Sequence, residues 1–176
     1  MELVFDIETQ KTFDEVGGRD HLEQLKVSVV GVYSYTRDAY LTFEEHQMKE
    51  LEMMFKNSTR VIGFNVIGFD FPVLTPYLTF PWKQLKILDI MREIEKMAGH
   101  RVSLDSVASA TLGAKKSGHG LDAIKYFREG NWTALKEYCL QDVKLTREVY
   151  EYGKKNRKVH YTSKVGGTLS VPVNWS

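Results

Sequence analysis

The sequence predicts an α/β protein built on a mixed sheet covered by helices on both faces, and three observations predict it. A β-branched and aromatic run, Leu3-Val4-Phe5-Asp6-Ile7, begins almost at the first residue; two more strand patterns follow as a meander; strand and helix patterns then alternate. The second strand is Lys26 to Tyr35, Thr36-Arg37-Asp38 is a tight turn, and Ala39 to Phe43 is the hairpin partner. His46 to Lys56 places Met48, Leu51, Met54 and Phe55 at helical spacing, and Val61 to Phe64 reads as the next strand. A short strand at Lys86 to Leu88 precedes helical patterns at Asp89 to Ala98, Leu104 to Thr111 and Gly120 to Arg128. The longest helix follows Asn131, a suitable N-cap, and runs from Trp132 to about Tyr152 with Gly153 as its stop signal. Lys154 to Ser176 opens with a basic stretch (Lys154, Lys155, Arg157, Lys158) and continues as strand-turn-strand around Gly166-Gly167. We therefore expect a main domain over residues 1–153 and an appendage over 154–176.

Composition limits the classes of function. The 176 residues suit one globular domain, and 43% hydrophobic with 27% charged residues excludes collagen-like, coiled-coil and disordered chains. A formal net charge of +1 provides no global field for nucleic acid or an anionic membrane, so any such partner needs a local site. Cys139 is the only cysteine, which excludes an intrachain disulfide framework and a cysteine-cluster zinc site and fits a reducing compartment. Glu2, Asp6 and Glu8 stand where a signal peptide would be basic, and no apolar run approaches the roughly 20 residues of a spanning helix. A cytoplasmic protein is expected.

Several carboxylates sit where a stable fold would not place them idly. Alternate residues of a strand share a face, so Asp6 and Glu8 point the same way, with Cα atoms roughly 6.5 to 7 Å apart. Like charges so close repel unless a cation joins them; the plain alternative is a strand end in solvent. In the long helix, Leu135, Tyr138, Cys139, Asp142, Val143, Thr146 and Val149 form an inward stripe that Asp142 interrupts with a charge. Tyr138 stands one turn earlier on the same face. In Gly63-Phe64-Asn65-Val66-Ile67-Gly68-Phe69-Asp70-Phe71-Pro72 the only charge is Asp70, set among apolar residues and glycines that allow a ligand to approach the backbone. Helix capping is the simpler use for Asp70.

Taken in order, Phe5-Asp6-Ile7-Glu8-Thr9, then Gly63-Phe64-Asn65 with Phe69-Asp70-Phe71-Pro72, then Tyr138-x-x-x-Asp142, resemble the three motifs of DEDDy-type 3′–5′ exonucleases. The likeness is strongest to the proofreading domain of family B DNA polymerases and to related stand-alone bacterial exonucleases, and it extends from Leu3 to about Tyr152. It implies an RNase H-like fold with a five-stranded sheet ordered 3-2-1-4-5 and strand 2 antiparallel to the others. It also implies two divalent cations, Mg²⁺ or Mn²⁺. Asp6 would bridge both, Glu8 and Asp142 would complete the first, and Asp70 would support the second. In such enzymes the motif tyrosine, here Tyr138, positions the attacking water, and Thr9 and Asn65 are the candidates to hold the 3′ end of nucleic acid, with single-stranded DNA the expected substrate. A phenol with an ordinary pKa of about 10 suits orientation of water better than its deprotonation.

Rival chemistries fit fewer residues. A haloacid dehalogenase-like phosphatase also opens with a strand ending in paired acids, but leaves Asn65, Tyr138 and Asp142 unused. A structure-specific endonuclease on the same scaffold could use the same acids and cut internally. A domain that binds nucleic acid without cutting it would have little need of the whole acidic set. Gly113-Ala114-Lys115-Lys116-Ser117-Gly118 imitates a P-loop, but His119-Gly120 stands where Lys and Ser or Thr are required. His21, His46, His100, His119 and His160 lack zinc-ligand spacing. Lys115 and Lys116, like Lys154 to Lys158, read first as solvated charge; Phe69, Phe71, Trp82 and Trp132 read first as packing, with base stacking as their alternative. Asp89 is expected to cap a helix.

Overall fold

The first strand sits at the centre of the sheet because its two faces are both needed. β1 (Glu2–Thr9) pairs antiparallel with β2 (Val27–Ser34), which pairs antiparallel with β3 (Ala39–Glu44). α1 (Met48–Lys56) crosses over to β4 (Arg60–Gly63), which runs parallel to β1. α2 (Asp70–Leu74) and two 3₁₀ turns lead to β5 (Ile87–Asp89), parallel to β4, and directly into α3 (Ile90–Ala98). α4 (Leu104–Leu112), α5 (Gly120–Arg128) and the 25-residue α6 (Trp132–Asn156) follow, then a separate hairpin of β6 (Lys158–Thr162) and β7 (Thr168–Pro172). This computed structural model describes residues 1–114, 120–163 and 165–175, so Lys115, Lys116, Ser117, Gly118 and His119 of the P-loop-like stretch lie outside the described residues.

The sheet has five strands in the order β3-β2-β1-β4-β5, the expected RNase H-like arrangement with β2 antiparallel to the rest. Alternation along β1 divides the core. Leu3, Phe5 and Ile7 pack with Leu51, Phe55 and Phe71 from α1 and α2, while Val4 packs on the other face with Ile62, Leu88, Val107, Val143 and Val149. Asp6 and Glu8 follow Val4 on the face covered by α6. The stripe of α6 is buried as expected, joined by Leu145 and Tyr150.

One expectation about α6 needs adjustment. The helix passes through Gly153 and ends at Asn156, with Arg157 in the left-handed region (φ 58°) donating its N–H to the Gly153 carbonyl at 2.8 Å. Gly153 serves packing instead of termination. A Cβ there would come within 2.2 Å of Trp175 Cζ3, and the buried Trp175 ring also stacks on Tyr150 at 6.2 Å between centroids. The Trp175 carbonyl accepts from Arg60 Nη1 at 3.2 Å, tying the chain's last described residue to β4. The outer edge of β6 is closed by α4, whose Ser106 and Thr111 hydroxyls each bond the N–H and the carbonyl of Thr162 and His160 respectively. Gly153→Ala should therefore destabilise the protein by about 1 to 3 kcal/mol in urea unfolding, although alanine is the better helix former. Adding Trp175→Ala should make the Gly153 effect much smaller; equal effects in both backgrounds would contradict this packing.

Candidate active site

The carboxyl ends of β1, β4 and β5 lie side by side, the position where open α/β sheets bind ligands. Opposite Asp6 in the register stands Gly31, and opposite Glu8 stands Val29. Gly31 has no room for a side chain: a Cβ would meet Val143 Cγ2 at 2.9 Å and Cys139 Sγ at 3.0 Å. The missing methyl lets α6 lie against the strand pair. Cys139 Sγ consequently donates to the Asp6 carbonyl at 3.6 Å, and ligand atoms of Asp6, Glu8 and Cys139 lie within 4.8 Å of one another. Burial pushes the Cys139 thiol far above its ordinary value, and the charges of Asp6, Glu8 and Asp142 push it further. A thiol that keeps its proton is a poor ligand for a hard cation, so the oxygen donors of Asp6 and Glu8 are the useful ones.

The loop after β4 supplies the next acid. Gly63 permits a tight exit, since a Cβ would lie 2.1 Å from Val66 Cγ1 and 3.1 Å from the Phe5 carbonyl. Asn65 then adopts a left-handed conformation, φ 65°. Asp89, at the end of β5, fixes this loop: its carboxylate accepts from the N–H groups of Asn65 and Ile67, each at 2.9 Å, and from Arg92 at 3.3 Å as the N-cap of α3. Asp70, by contrast, is the first residue of α2 and makes no side-chain cap bond, so the simple capping role is not realised. It is 2% exposed, and its Oδ1 has no hydrogen-bond partner among the described residues. Burial, abetted by the Asp89 charge, pushes the Asp70 carboxyl up to about 8, against the opposing main-chain N–H groups of Asp70 and Ile7. Asp89 is thus an acid whose carboxylate is bonded by the fold, whereas one carboxyl oxygen of Asp70 has no partner among the described residues.

Tyr138 and Asp142, one turn apart on α6, are both buried, and the charge of Asp142 reaches Cys139. Asp142 and Asp70 stand outside the 4.8 Å group of Asp6, Glu8 and Cys139; the former approaches from the helix and the latter from the segment after β4, where it meets the Ile7 N–H. Beside Glu8 opens a cavity of about 360 Å³ lined by Thr9, Lys11, Phe13, Leu25, Phe69 and Leu121 among others. Thr9 is buried in its wall and donates its hydroxyl to the Lys11 carbonyl at 3.0 Å; the Asn65 amide oxygen lies elsewhere, accepting from Arg101 at 2.8 Å. Of the four aromatic residues offered for base stacking, Phe71 is core and stacks on Trp82 at 4.8 Å, Trp132 packs on Phe127, and Phe69 lines this cavity, edge-on to Phe13 in the same wall. Lys11, Phe13, Leu121 and Arg101 carry no motif in the sequence, and only the fold brings them here.

A family model of the RNase_H superfamily matches residues 3–153. The chain belongs to that superfamily. That membership supports nuclease activity. No curated protein matches the sequence. Among solved structures, the family B DNA polymerase from the hyperthermophilic archaeon Pyrobaculum calidifontis is similar, with a TM-score of 0.67 and 19% identity over 86% of this chain. This chain matches 24% of that polymerase chain, so the likeness is one of fold. No helix among the described residues is long and apolar enough to cross a membrane.

RNase H-like nucleases use divalent metals, and the residues present fit one: paired oxygen donors on one strand face, and a buried carboxyl oxygen without a partner. Without metal, folded Asp70 holds its proton to about 8, whereas the unfolded chain releases it near the ordinary 3.8. The folded state binds that proton more tightly, so its stabilising effect is complete below about pH 4 and is lost as pH rises through about 8. In chelator, the unfolding midpoint should therefore fall between about pH 5 and about pH 8.5, Mg²⁺ should restore it at the alkaline end, and Asp70→Asn should flatten the decline. A decline of the same steepness in the Asn variant would show that another group is responsible.

Proposed function

We propose that this protein is a metal-dependent 3′–5′ exonuclease of the DEDDy type that trims single-stranded DNA. The observation that carries this reading is the pairing of Asp6 and Glu8 at one end of β1, with Asp70 against the Ile7 N–H and Asp142 within electrostatic reach of Cys139, beside a cavity walled by Phe13 and Phe69. Asp6, Glu8, Asp70 and Asp142 are the residues that would hold two Mg²⁺ or Mn²⁺ ions. When bound, such ions would activate water and neutralise the charge that develops on the phosphate and the leaving oxygen.

The chain's own residues supply the remaining requirements. Tyr138, one turn before Asp142, is placed to orient a water by its hydroxyl. Gly31 fixes the depth of α6, and with it the reach of Tyr138 and Asp142 toward Asp6. Thr9 lies in the wall of the apolar cavity, whose volume suits an unpaired nucleobase against an aromatic side chain. A paired base would keep its face stacked in the duplex, which favours a single strand. The 3′ polarity rests on the motif order shared with the DEDDy exonucleases, and the choice of DNA on the likeness to a DNA polymerase.

The test uses 3′- and 5′-labelled single strands with Mg²⁺, Mn²⁺ or chelator. A ladder that shortens from the 3′ end only with metal is expected, with circular single-stranded DNA left intact; cutting of the circle would make the protein an endonuclease. Asp6→Ala or Asp142→Ala should slow hydrolysis on the order of a thousandfold while preserving the fold by circular dichroism. Tyr138→Phe should slow it only about tenfold, the equivalent of one positioning hydrogen bond. Undiminished rates in either Asp variant would remove the metal assignment.

A further inference from the structure

Arg101, in the connection between α3 and α4, is an exposed cation held beside the loop that delivers Asp70. Its Nη2 donates to Asn65 Oδ1 at 2.8 Å, a contact across 36 positions of sequence. Asn65 is itself prepared for this contact. Its φ of 65° is stabilised by the bond from its N–H to Asp89, and Gly68 leaves space for the amide, since a Cβ there would lie 2.6 Å from Asn65 Oδ1. Arg60, Arg92, Arg128 and Arg147 each pair with a carboxylate. Arg101 forms no ion pair with a described carboxylate; among the described residues its hydrogen-bond acceptor is the Asn65 amide oxygen.

A neutral amide accepts one N–H and sets the plane of the guanidinium without cancelling its charge, so the other donors remain available for a bidentate anion. Resting on the reading that the site takes nucleic acid, we propose that Arg101, oriented by Asn65, binds a backbone phosphate of the strand at the rim of the site. Asn65 is then a positioning residue that acts through Arg101, and the loop couples phosphate capture to the placement of Asp70 five residues later.

The experiment measures binding of a fluorescent single-stranded oligonucleotide over a range of salt concentrations, with Ca²⁺ replacing Mg²⁺ so that the strand stays whole. Arg101→Ala should raise Kd about tenfold near 0.1 M salt and reduce the slope of log K against log salt by about 0.7, the signature of one lost phosphate contact to a single strand. Arg101→Lys should keep the slope and recover only part of the affinity, because the charge remains and the fork is lost. Asn65→Asp is the sharper variant: it tolerates the left-handed backbone and sets a carboxylate against the guanidinium, so it should reduce the slope with Arg101 still present. Wild-type Kd and slope in Arg101→Ala, or in Asn65→Asp, would overturn the proposal while leaving the nuclease reading intact. A wild-type protein that binds no single strand at all would sink both.

Discussion

Carboxylates crowded away from water repel each other and lose hydration, and this fold buries four of them toward one end of its sheet and the helix that covers it: Glu8, Asp70, Asp89 and Asp142 are 8%, 2%, 3% and 4% exposed. Asp6 lies beside them on the same strand face as Glu8. Such a concentration of buried charge is tolerated only where something answers it. Asp89 is answered within the chain, by three main-chain N–H groups. Asp70 is answered only in part, by the N–H groups of Asp70 and Ile7, while its Oδ1 has no hydrogen-bond partner among the described residues and burial raises its pKa. The contrast between these neighbours separates an acid whose carboxylate anchors the Asn65 loop from one with an oxygen left over, which is why Asp70 is proposed as a cation ligand.

Much of the surrounding architecture serves that gathering. Gly31 lets α6 press onto β1 and β2, and Gly63 lets the chain leave β4 without colliding with β1. A methyl group at either position would displace the element that carries an acid: α6 with Asp142, or the loop with Asp70. The register of β1 against β2 shifts between Glu8 and Thr9, where an irregularity of this kind turns the strand end and re-aims its side chains. The buried Trp175, seated on Gly153, holds the opposite end of α6. The longest helix is thus fixed by glycine contacts at its middle, beside Asp142, and near its C-terminal end.

The order and type of the strands were legible because period-two and period-3.6 patterns are local properties of the chain, as was the inward stripe of α6 that exposed Asp142 as an anomaly. The end of that helix was not. Gly153 carries the same local signal whether it stops a helix or makes room for a ring 22 positions later, and only Trp175 decides between them. The acids and Tyr138 could be picked out by their apolar neighbours. Arg101 could not, because its contact with Asn65 is made by a connection whose path depends on the packing of α3 and α4. The same holds for the cavity, whose walls come from β1, the segment after it, the loop before α2, and α5. Asp89 was legible as a cap but not as the anchor of the Asn65 loop, since capping is read within one helix and the anchor spans 24 positions.

The central claim is that the oxygens of Asp6, Glu8, Asp70 and Asp142 share metal ions. Anomalous diffraction from crystals equilibrated with Mn²⁺ addresses it most directly. Strong peaks are expected at the carboxyl end of β1, one touching Asp6, Glu8 and Asp142 and one touching Asp6 and Asp70. Peaks confined to surface carboxylates, with the strand end bare at saturating Mn²⁺, would contradict it.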